Sequence, residues 1–361
     1  MKIIEMEQKK QGILEKSQTL IWALGIGHGF SDATAGYLMG TLAQEVALSE
    51  VALAVVIYNI LAFGGQFPLG IYLDRLKYYR SAVILALVGM IMASICMGFQ
   101  IWVGTILAGV SSAIFHVAGG GITLRSFPQK ASYMGIFSAF GVLGLALGGW
   151  AGATQALWIQ LVLVAGLGIV AILVLVIRMP EALTFEVDSP KNTFLDTHDY
   201  LMILLMVAIA ARSAIWNYIQ LLYNHQYEWL LYIALAAMVG KLLGGWLSDR
   251  VGMRLYALIS LAMAIVLLSW GHRKLIWLMI GTGLLQSITP VSVIALQRAF
   301  PQWPATMSGA AFGLAIALGG SASVFSLGKN LFYLPQLFIW GMGVWLLYFY
   351  AFKLHKKLFS I

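Results

Sequence analysis

The sequence predicts an all-α integral membrane protein whose twelve transmembrane helices form two pseudo-symmetric six-helix bundles. Three observations carry that prediction. Apolar stretches of membrane length follow one another with little polar chain between them, lysine and arginine keep to alternate loops, and the second half repeats motifs of the first.

Composition identifies the solvent. Hydrophobic residues make up 61% of the 361 and charged residues 10%, with a mean hydropathy of +0.87. A soluble domain is about 45–50% apolar and about 25% charged, so hydrocarbon rather than water surrounds most of this chain. The net charge of +8 taken alone suits a nucleic-acid binder. The basic residues sit in short loops between apolar spans, however, which is a topology signal, and no nucleic-acid partner is expected. The single cysteine, Cys96, lies inside an apolar run and leaves neither an internal disulfide nor a thiol cluster for a metal. The polar stretch 1–17 precedes an apolar run longer than a signal-peptide core, so no cleavage is expected.

Crossing about 30 Å of hydrocarbon takes about 20 helical residues. On that ruler the spans are 18–42, 48–73, 81–99, 101–124, 132–153, 156–178, 199–222, 228–248, 254–271, 274–297, 305–327 and 331–352. Phe99-Gln100-Ile101 and Ala153-Thr154-Gln155 leave room only for tight connections. The longest linker, 179–198, is polar and acidic, with Glu181, Glu186, Asp188 and Asp196, and Asp199 follows directly. It divides the chain into an N-terminal bundle, 1–178, and a C-terminal bundle, 199–361.

Orientation follows from the basic residues. With both termini cytoplasmic, 17 of the 22 lysines and arginines fall inside; Arg273, Lys274 and Lys329 fall outside, and Arg212 and Lys241 lie within spans. That asymmetry is what the positive-inside rule requires, and it predicts a multi-pass protein of a bacterial-type inner membrane.

The halves repeat in order. Arg125-Ser-Phe127-Pro128-Gln129, with Met134 following, returns as Arg298-Ala-Phe300-Pro301-Gln302 with Met307, at an offset of 173. Leu145-Ala-Leu-Gly148-Gly149 returns as Ile316-Ala-Leu-Gly319-Gly320, offset 171, and Asp74-Arg75 as Asp249-Arg250, offset 175. Parallel repeats of this kind suit two bundles rocking about a site near the bilayer midplane.

On these residues the chain resembles the major facilitator superfamily. The family's loop after helix 2, repeated after helix 8, reads here Gly70-Ile-Tyr-Leu-Asp74-Arg75-Leu-Lys77-Tyr-Tyr-Arg80 and Gly245-Trp-Leu-Ser-Asp249-Arg250-Val-Gly252-Met-Arg254. In the first copy Lys77 replaces the usual glycine. Glycine lets helices approach closely, and Asp with Arg at a helix end can form a breakable clasp, so Gly70, Asp74, Arg75, Gly245, Asp249 and Arg250 are the candidate gating residues. Two features of drug exporters in the superfamily are altered: Thr105 stands where helix 4 usually has arginine, and Leu145 replaces the proline of the helix 5 glycine motif. The motifs His28-Gly-Phe-Ser-Asp32 and Ser111-Ser-Ala-Ile-Phe115-His116, with an arginine in helix 7, are similar to the fosmidomycin-resistance-type branch, which implies export of a small molecule.

Ionisable groups at mid-membrane cost at least about 2.5 kcal/mol each and are functional candidates. Five lie well inside spans: His28, Asp32, His116, Arg212 and Lys241. His28 and Asp32, four residues apart, share a helix face and form a candidate proton carrier, because a desolvated carboxylate takes a proton more readily. The competing reading is a structural pair with Asp32 neutralised by Arg212 across the cavity. Arg212 cannot lose its charge and therefore needs a partner or an anion. It is a candidate substrate contact together with His116, Trp216, Asn217 and Gln286. Lys241, equated with Gln66 by the repeat, is expected to snorkel toward the cytoplasm.

No arrangement of the kind an enzyme needs is apparent, and no cofactor is expected. His28, Asp32 and His116 suit a divalent cation, while Arg212 and Lys241 argue against a bare cation but not against an anionic metal chelate. The expectation is a monomeric secondary transporter exporting a small organic compound, with an anion favoured, against protons. Proton-coupled uptake, or transport of a metal chelate, is the alternative, and the partners are substrate, protons and lipid.

Overall fold

A computed structural model describes residues 2–154, 157–177, 196–223, 225–326 and 334–359. Gln155, the linker up to residue 195, and Lys329 lie outside the described residues. Among these, the chain is helical, without strands, in twelve rods. They are α1 (Lys2–Glu45), α2 (Leu48–Leu76), α3 (Tyr79–Met97), α4 (Ile101–Ser126), α5 (Ala131–Ala153), α6 (Leu157–Val176), α7 (Thr197–Leu222), α8 (Tyr227–Val251), α9 (Met253–Trp270), α10 (Leu275–Ala299), α11 (304–326) and α12 (Leu334–Phe359). Ten are long and apolar enough to cross a membrane; α11 is apolar over a shorter stretch, Pro304–Gly320, and α1 carries His28 and Asp32 along its length.

Local chemistry sets the ends and breaks. α1 runs back to Lys2 rather than starting near residue 18, because the polar N-terminal stretch is rich in helix-favouring Lys, Glu, Gln and Met. α7 starts on a capping box: the Asp196 carboxylate accepts from the amides of His198 and Asp199, and Asp199 accepts from Asp196 N. α2 contains a π turn, Ile60–Gly64. Pro68, four residues beyond Gly64, has no N–H to offer its carbonyl, so the regular ladder cannot continue there. α11 carries a π turn at Ala310–Leu314, and the two π turns face each other across the molecule. α10 is interrupted at Ile288, just before Pro290. The loop after α2 turns at Lys77 (φ 61°), and the loop after α8 at Gly252 (φ 93°). The repeat equates these two residues, which shows why glycine is the usual occupant.

Packing follows the repeat. α1 lies on α5 as α7 lies on α11. In the first seam a Cβ at Gly148 would collide with the Ala33 carbonyl, and in the second a Cβ at Gly319 would collide with that of Ala210. Small residues let backbones touch where lipid provides no hydrophobic drive between helices. The two sets of six helices meet along α2–α11 and α5–α8. Large apolar side chains such as Leu53, Leu85, Ile169, Leu255 and Ile339 are exposed, as an outer surface in hydrocarbon requires.

Candidate functional site

Three side chains converge between α1 and α4. His28 Nε2 lies 3.2 Å from Asp32 Oδ2, and His116 Nε2 lies 3.8 Å from Asp32 Oδ1. The two imidazoles stand edge to face, 4.4 Å between ring centroids. The other nitrogen of each ring faces a carbonyl: His28 Nδ1 is 2.8 Å from Phe137 O, and His116 Nδ1 is 2.8 Å from Ser112 O. A carbonyl only accepts, so both Nδ1 atoms carry hydrogen and donate. In the neutral rings both Nε2 lone pairs then point at the carboxylate. The 3.2 Å contact is a hydrogen bond only when a proton sits on His28 Nε2 or on Asp32 Oδ2.

Its surroundings leave little slack. A Cβ at Gly141 of α5 would stand 2.5 Å from Asp32 Oδ2 and nearer still to His28 Nε2. Ser112 lies between His116 Nδ1 and the hydroxyl of Tyr58, each at 3.4 Å. The Asp32 side chain is 15% exposed, against 5% for His28 and 8% for His116, so the carboxylate is the most accessible of the three.

The second half supplies two buried basic side chains, Arg212 and Lys241. Arg212 on α7 is buried; its Nη1 donates to Gln286 Oε1 at 3.2 Å and to Leu285 O at 3.4 Å, while its Nε has no partner. Thr289 also donates to Gln286 Oε1, at 3.1 Å. Pro290 cannot donate to the Gln286 carbonyl, and the break it causes lies where α10 meets Arg212. The ion pair between Asp32 and Arg212 of the competing reading does not form: the histidines occupy the carboxylate, and Arg212 turns to acceptors on α10. Lys241 does not snorkel. It is buried and donates to Ser138 O on α5, 3.0 Å away, where α8 packs against α5. Its charge interacts with both Asp32 and Arg212. Trp216 and Asn217 lie one turn along α7 from Arg212. Trp216 packs against the core, and Asn217 donates to Ser213 O of its own helix at 3.0 Å.

The loop motifs make a second arrangement, where the halves meet. Asp74 accepts from Ala305 N at 3.0 Å and from Thr306 N and Oγ1 at 2.8 and 2.6 Å, and also from the Tyr79 hydroxyl. Asp249 accepts from Ala131 N at 2.9 Å and Ser132 N at 3.0 Å. Each aspartate therefore caps the first turn of a helix in the opposite half, α11 or α5, where exposed amides and the helix dipole favour an anion. Pro304 stands where α5 has Ala131 and has no N–H, so Asp74 engages the next two amides. Gly70 and Gly245 permit the approach: Cβ atoms there would lie 2.6 Å from Ala305 O and 2.5 Å from Ala131 O. The arginines take no part in these contacts. Arg75 is exposed, and Arg250 stacks on Trp246, 3.8 Å from the ring centre. The Asp–Arg clasp expected from the motif is instead an aspartate-to-helix-start clasp, because the amides of an uncapped first turn are nearer and already desolvated.

Sequence reasoning grouped His28, Asp32 and His116 as possible cation ligands and otherwise assigned His116 to the substrate; the structure brings the three side chains into contact. It missed Ser112, Ser138, Gly141 and Thr306. Ser112 lay within a quoted motif, one helical turn from His116, which was the available signal. The other three act across helices and carried none.

Comparison with known proteins agrees with this architecture. The family model described as Major Facilitator Superfamily matches residues 21–327. The crystal structure of the E. coli fucose:proton symporter FucP superposes with a TM-score of 0.69 at 14% identity, over 94% of this chain and 98% of that one. FucP in the outward conformation gives 0.71 at 13% identity, over 94% and 98%. The human organic anion transporter MFSD10 gives 0.65 at 17% identity, over 94% and 99%. A search of curated protein sequences found no match. The structural likenesses show a shared fold, while the family match covers most of the chain and the repeated Asp-Arg loops fall where that fold brings its two halves together. The chain belongs to the Major Facilitator Superfamily, as a membrane transporter and not an enzyme.

Proposed function

We propose that this protein is a proton-coupled secondary transporter that exports a small anionic organic compound across a bacterial-type inner membrane, with both termini cytoplasmic. The observation that carries the coupling is the 3.2 Å contact between His28 Nε2 and Asp32 Oδ2, which needs a proton because the other histidine nitrogens are fixed as donors. His116 stabilises that proton by facing the second carboxylate oxygen. Release of the proton leaves Asp32 charged near Lys241, drawing the two halves together at mid-membrane. Return of the proton weakens that attraction.

Arg212, with an unpartnered Nε and neutral acceptors only, is the group we assign to the substrate's negative charge. Asp74 and Asp249 act as paired latches that hold one side closed, cytoplasmic in the orientation predicted from charge, while the bundles rock in alternating access. One proton crossing 100 mV contributes about 2.3 kcal/mol, enough for useful accumulation. Export is taken from the resemblance of His28-Gly-Phe-Ser-Asp32 and Phe115-His116 to fosmidomycin-resistance-type transporters.

Everted vesicles with an acidified interior and a pH-sensitive dye test the reading. A panel of anionic, zwitterionic and cationic compounds is added to wild-type and Asp32→Asn vesicles. Release of interior protons by an anion in the wild type alone is expected. Protons moving inward with the compound would show symport instead. A full wild-type response from Asp32→Asn would remove the coupling assignment.

A further inference from the structure

The cluster of His28, Asp32 and His116 has a property that proton carriage does not require. Three donor atoms of different helical turns, two imidazole nitrogens and a carboxylate oxygen, all lie within 4.8 Å of one another. Each ring has its second nitrogen hydrogen-bonded to a backbone carbonyl at 2.8 Å. That is the outer-shell arrangement that fixes the tautomer of a metal-binding histidine and aims its free lone pair at the ion. We propose that His28 Nε2, His116 Nε2 and Asp32 form a three-ligand site for a divalent first-row transition-metal ion such as Zn2+, which displaces the proton held in the cluster.

The geometry needs little adjustment. Donors about 2.1 Å from a tetrahedral ion stand about 3.4 Å apart. His28 Nε2 lies 3.2 Å from Oδ2 and His116 Nε2 3.8 Å from Oδ1, and with all three donor atoms within 4.8 Å of one another a small rotation of the carboxylate brings one oxygen to both rings. Two imidazoles and one carboxylate are a common ligand set for zinc and its neighbours, with a fourth position left for water. Asp32, the most exposed of the three, is the side from which that water and the ion arrive.

The groups facing the cluster are the Tyr58 hydroxyl from α2, Ser112 from α4, Phe137 O and Gly141 from α5, and the Lys241 charge from α8. Lys241 is the one unfavourable group, and the sequence argument against a bare cation rested on it and on Arg212. Its ammonium is committed to Ser138 O, and Arg212 to α10, so neither supplies a ligand that closes the pocket. Their charge weakens the site without removing it. Protons compete for both Nε2 atoms, so metal affinity falls as pH falls, and each ion bound expels about one proton. The consequence for transport, block of the proton step by metal, rests on the coupling reading above; binding itself does not.

The experiment uses the full-length protein in lipid nanodiscs and Co2+ alone as the probe, followed by visible absorption and by calorimetry in buffers of different ionisation heat. The wild type is expected to bind one Co2+ with the intense absorption of a four-coordinate ion, with proton release and weaker binding at lower pH. His225→Gln, remote from the cluster, retains this signal, while Asp32→Asn and His116→Gln lose it with unchanged thermal unfolding in the absence of metal. His116→Cys keeps a ligand and gains a thiolate-to-cobalt charge-transfer band, which decides the matter should a truncated variant misfold. Absence of one-to-one binding in the wild type, persistence of the signal in Asp32→Asn and His116→Gln, or a folded His116→Cys without the new band would each overturn the site. Because no gradient is applied, failure here leaves the vesicle assay of coupling untouched, and failure there leaves metal binding untouched.

Discussion

The two helix-capping aspartates are predicted to be unequal latches. Asp74 is buried and receives three hydrogen bonds from the opposite half, from Ala305 N, Thr306 N and Thr306 Oγ1, whereas Asp249 is half-buried and receives two. Loss of an acidic cap at an exposed helix start costs about 1 kcal/mol, and a hydrogen bond to a charged acceptor contributes about 1.5 kcal/mol net. Asp249→Ala should therefore favour opening of this end by about 2 kcal/mol. Asp74→Ala, losing three bonds from a drier site, should favour it by about 4 kcal/mol. At tenfold per 1.4 kcal/mol the shifts are about 30-fold and several hundred-fold in the closed-to-open ratio.

Spin labels at the exposed positions Lys77 and Val251, at the ends of α2 and α8 and in a background with Cys96 replaced, report the separation of the two halves at this end by pulsed dipolar spectroscopy. A growing long-distance population is expected in the order wild type, Asp249→Ala, Asp74→Ala. If Asp249→Ala opens the protein more than Asp74→Ala, or if neither moves the distribution, the latch argument fails.

Three further outcomes follow from particular contacts. Arg212→Ala should weaken binding of an anionic substrate at least tenfold while thermal unfolding in detergent changes little; unchanged affinity would leave Arg212 only its bonds to α10. Lys77→Gly should stabilise the fold by about 1 kcal/mol by relieving a non-glycine residue of φ 61°, and Gly252→Ala at φ 93° should destabilise it by at least as much, both read by unfolding in detergent. Gly148→Ala drives a Cβ into the Ala33 carbonyl and should cost about 2 kcal/mol, whereas Gly149→Ala, whose nearest neighbour is Gly36 O at 3.9 Å, should be near neutral; equal effects would contradict the α1–α5 seam.

What was legible in the sequence was periodic or local. Span length and loop charge reveal the helices because hydrocarbon thickness and the membrane's charge bias act on every segment alike. The repeat exposed the paired loops because their glycines and aspartates recur at a fixed spacing. What was not legible depended on how helices rotate against one another. Nothing in the sequence of α8 says that Lys241 faces Ser138 rather than water, since that follows from the glycine-lined approach of α5 and α8, with Gly135 packed on Lys241 O. The Asp32–Arg212 pair was a reasonable inference from symmetry between α1 and α7, but a carboxylate already held by two histidines of its own half has no need of it.

The repeat itself separates the mechanical parts from the chemical ones. Each aspartate of the matched loops finds a matched helix start in the other half, and each glycine seam has its counterpart, because two bundles that rock as rigid bodies need equivalent contacts on both sides of the pseudo-axis. Aligning Ala33 with Ala210 through the two seams puts Ile209 opposite Asp32 and Leu205 opposite His28, and the loop offsets put Thr289 opposite His116 and Gln66 opposite Lys241. Every titratable or charged side chain of the centre therefore faces an uncharged residue in the other repeat. The histidine–carboxylate cluster lies on the first half, and Arg212, whose charge is permanent, on the second. A centre with two equal sides carries like groups on both, so its charges could only repel one another across the pseudo-axis. In the proposed coupling, this one changes the attraction between the halves when a single proton leaves Asp32, which is how a local charge change would bias a rocking motion that symmetric contacts alone leave balanced.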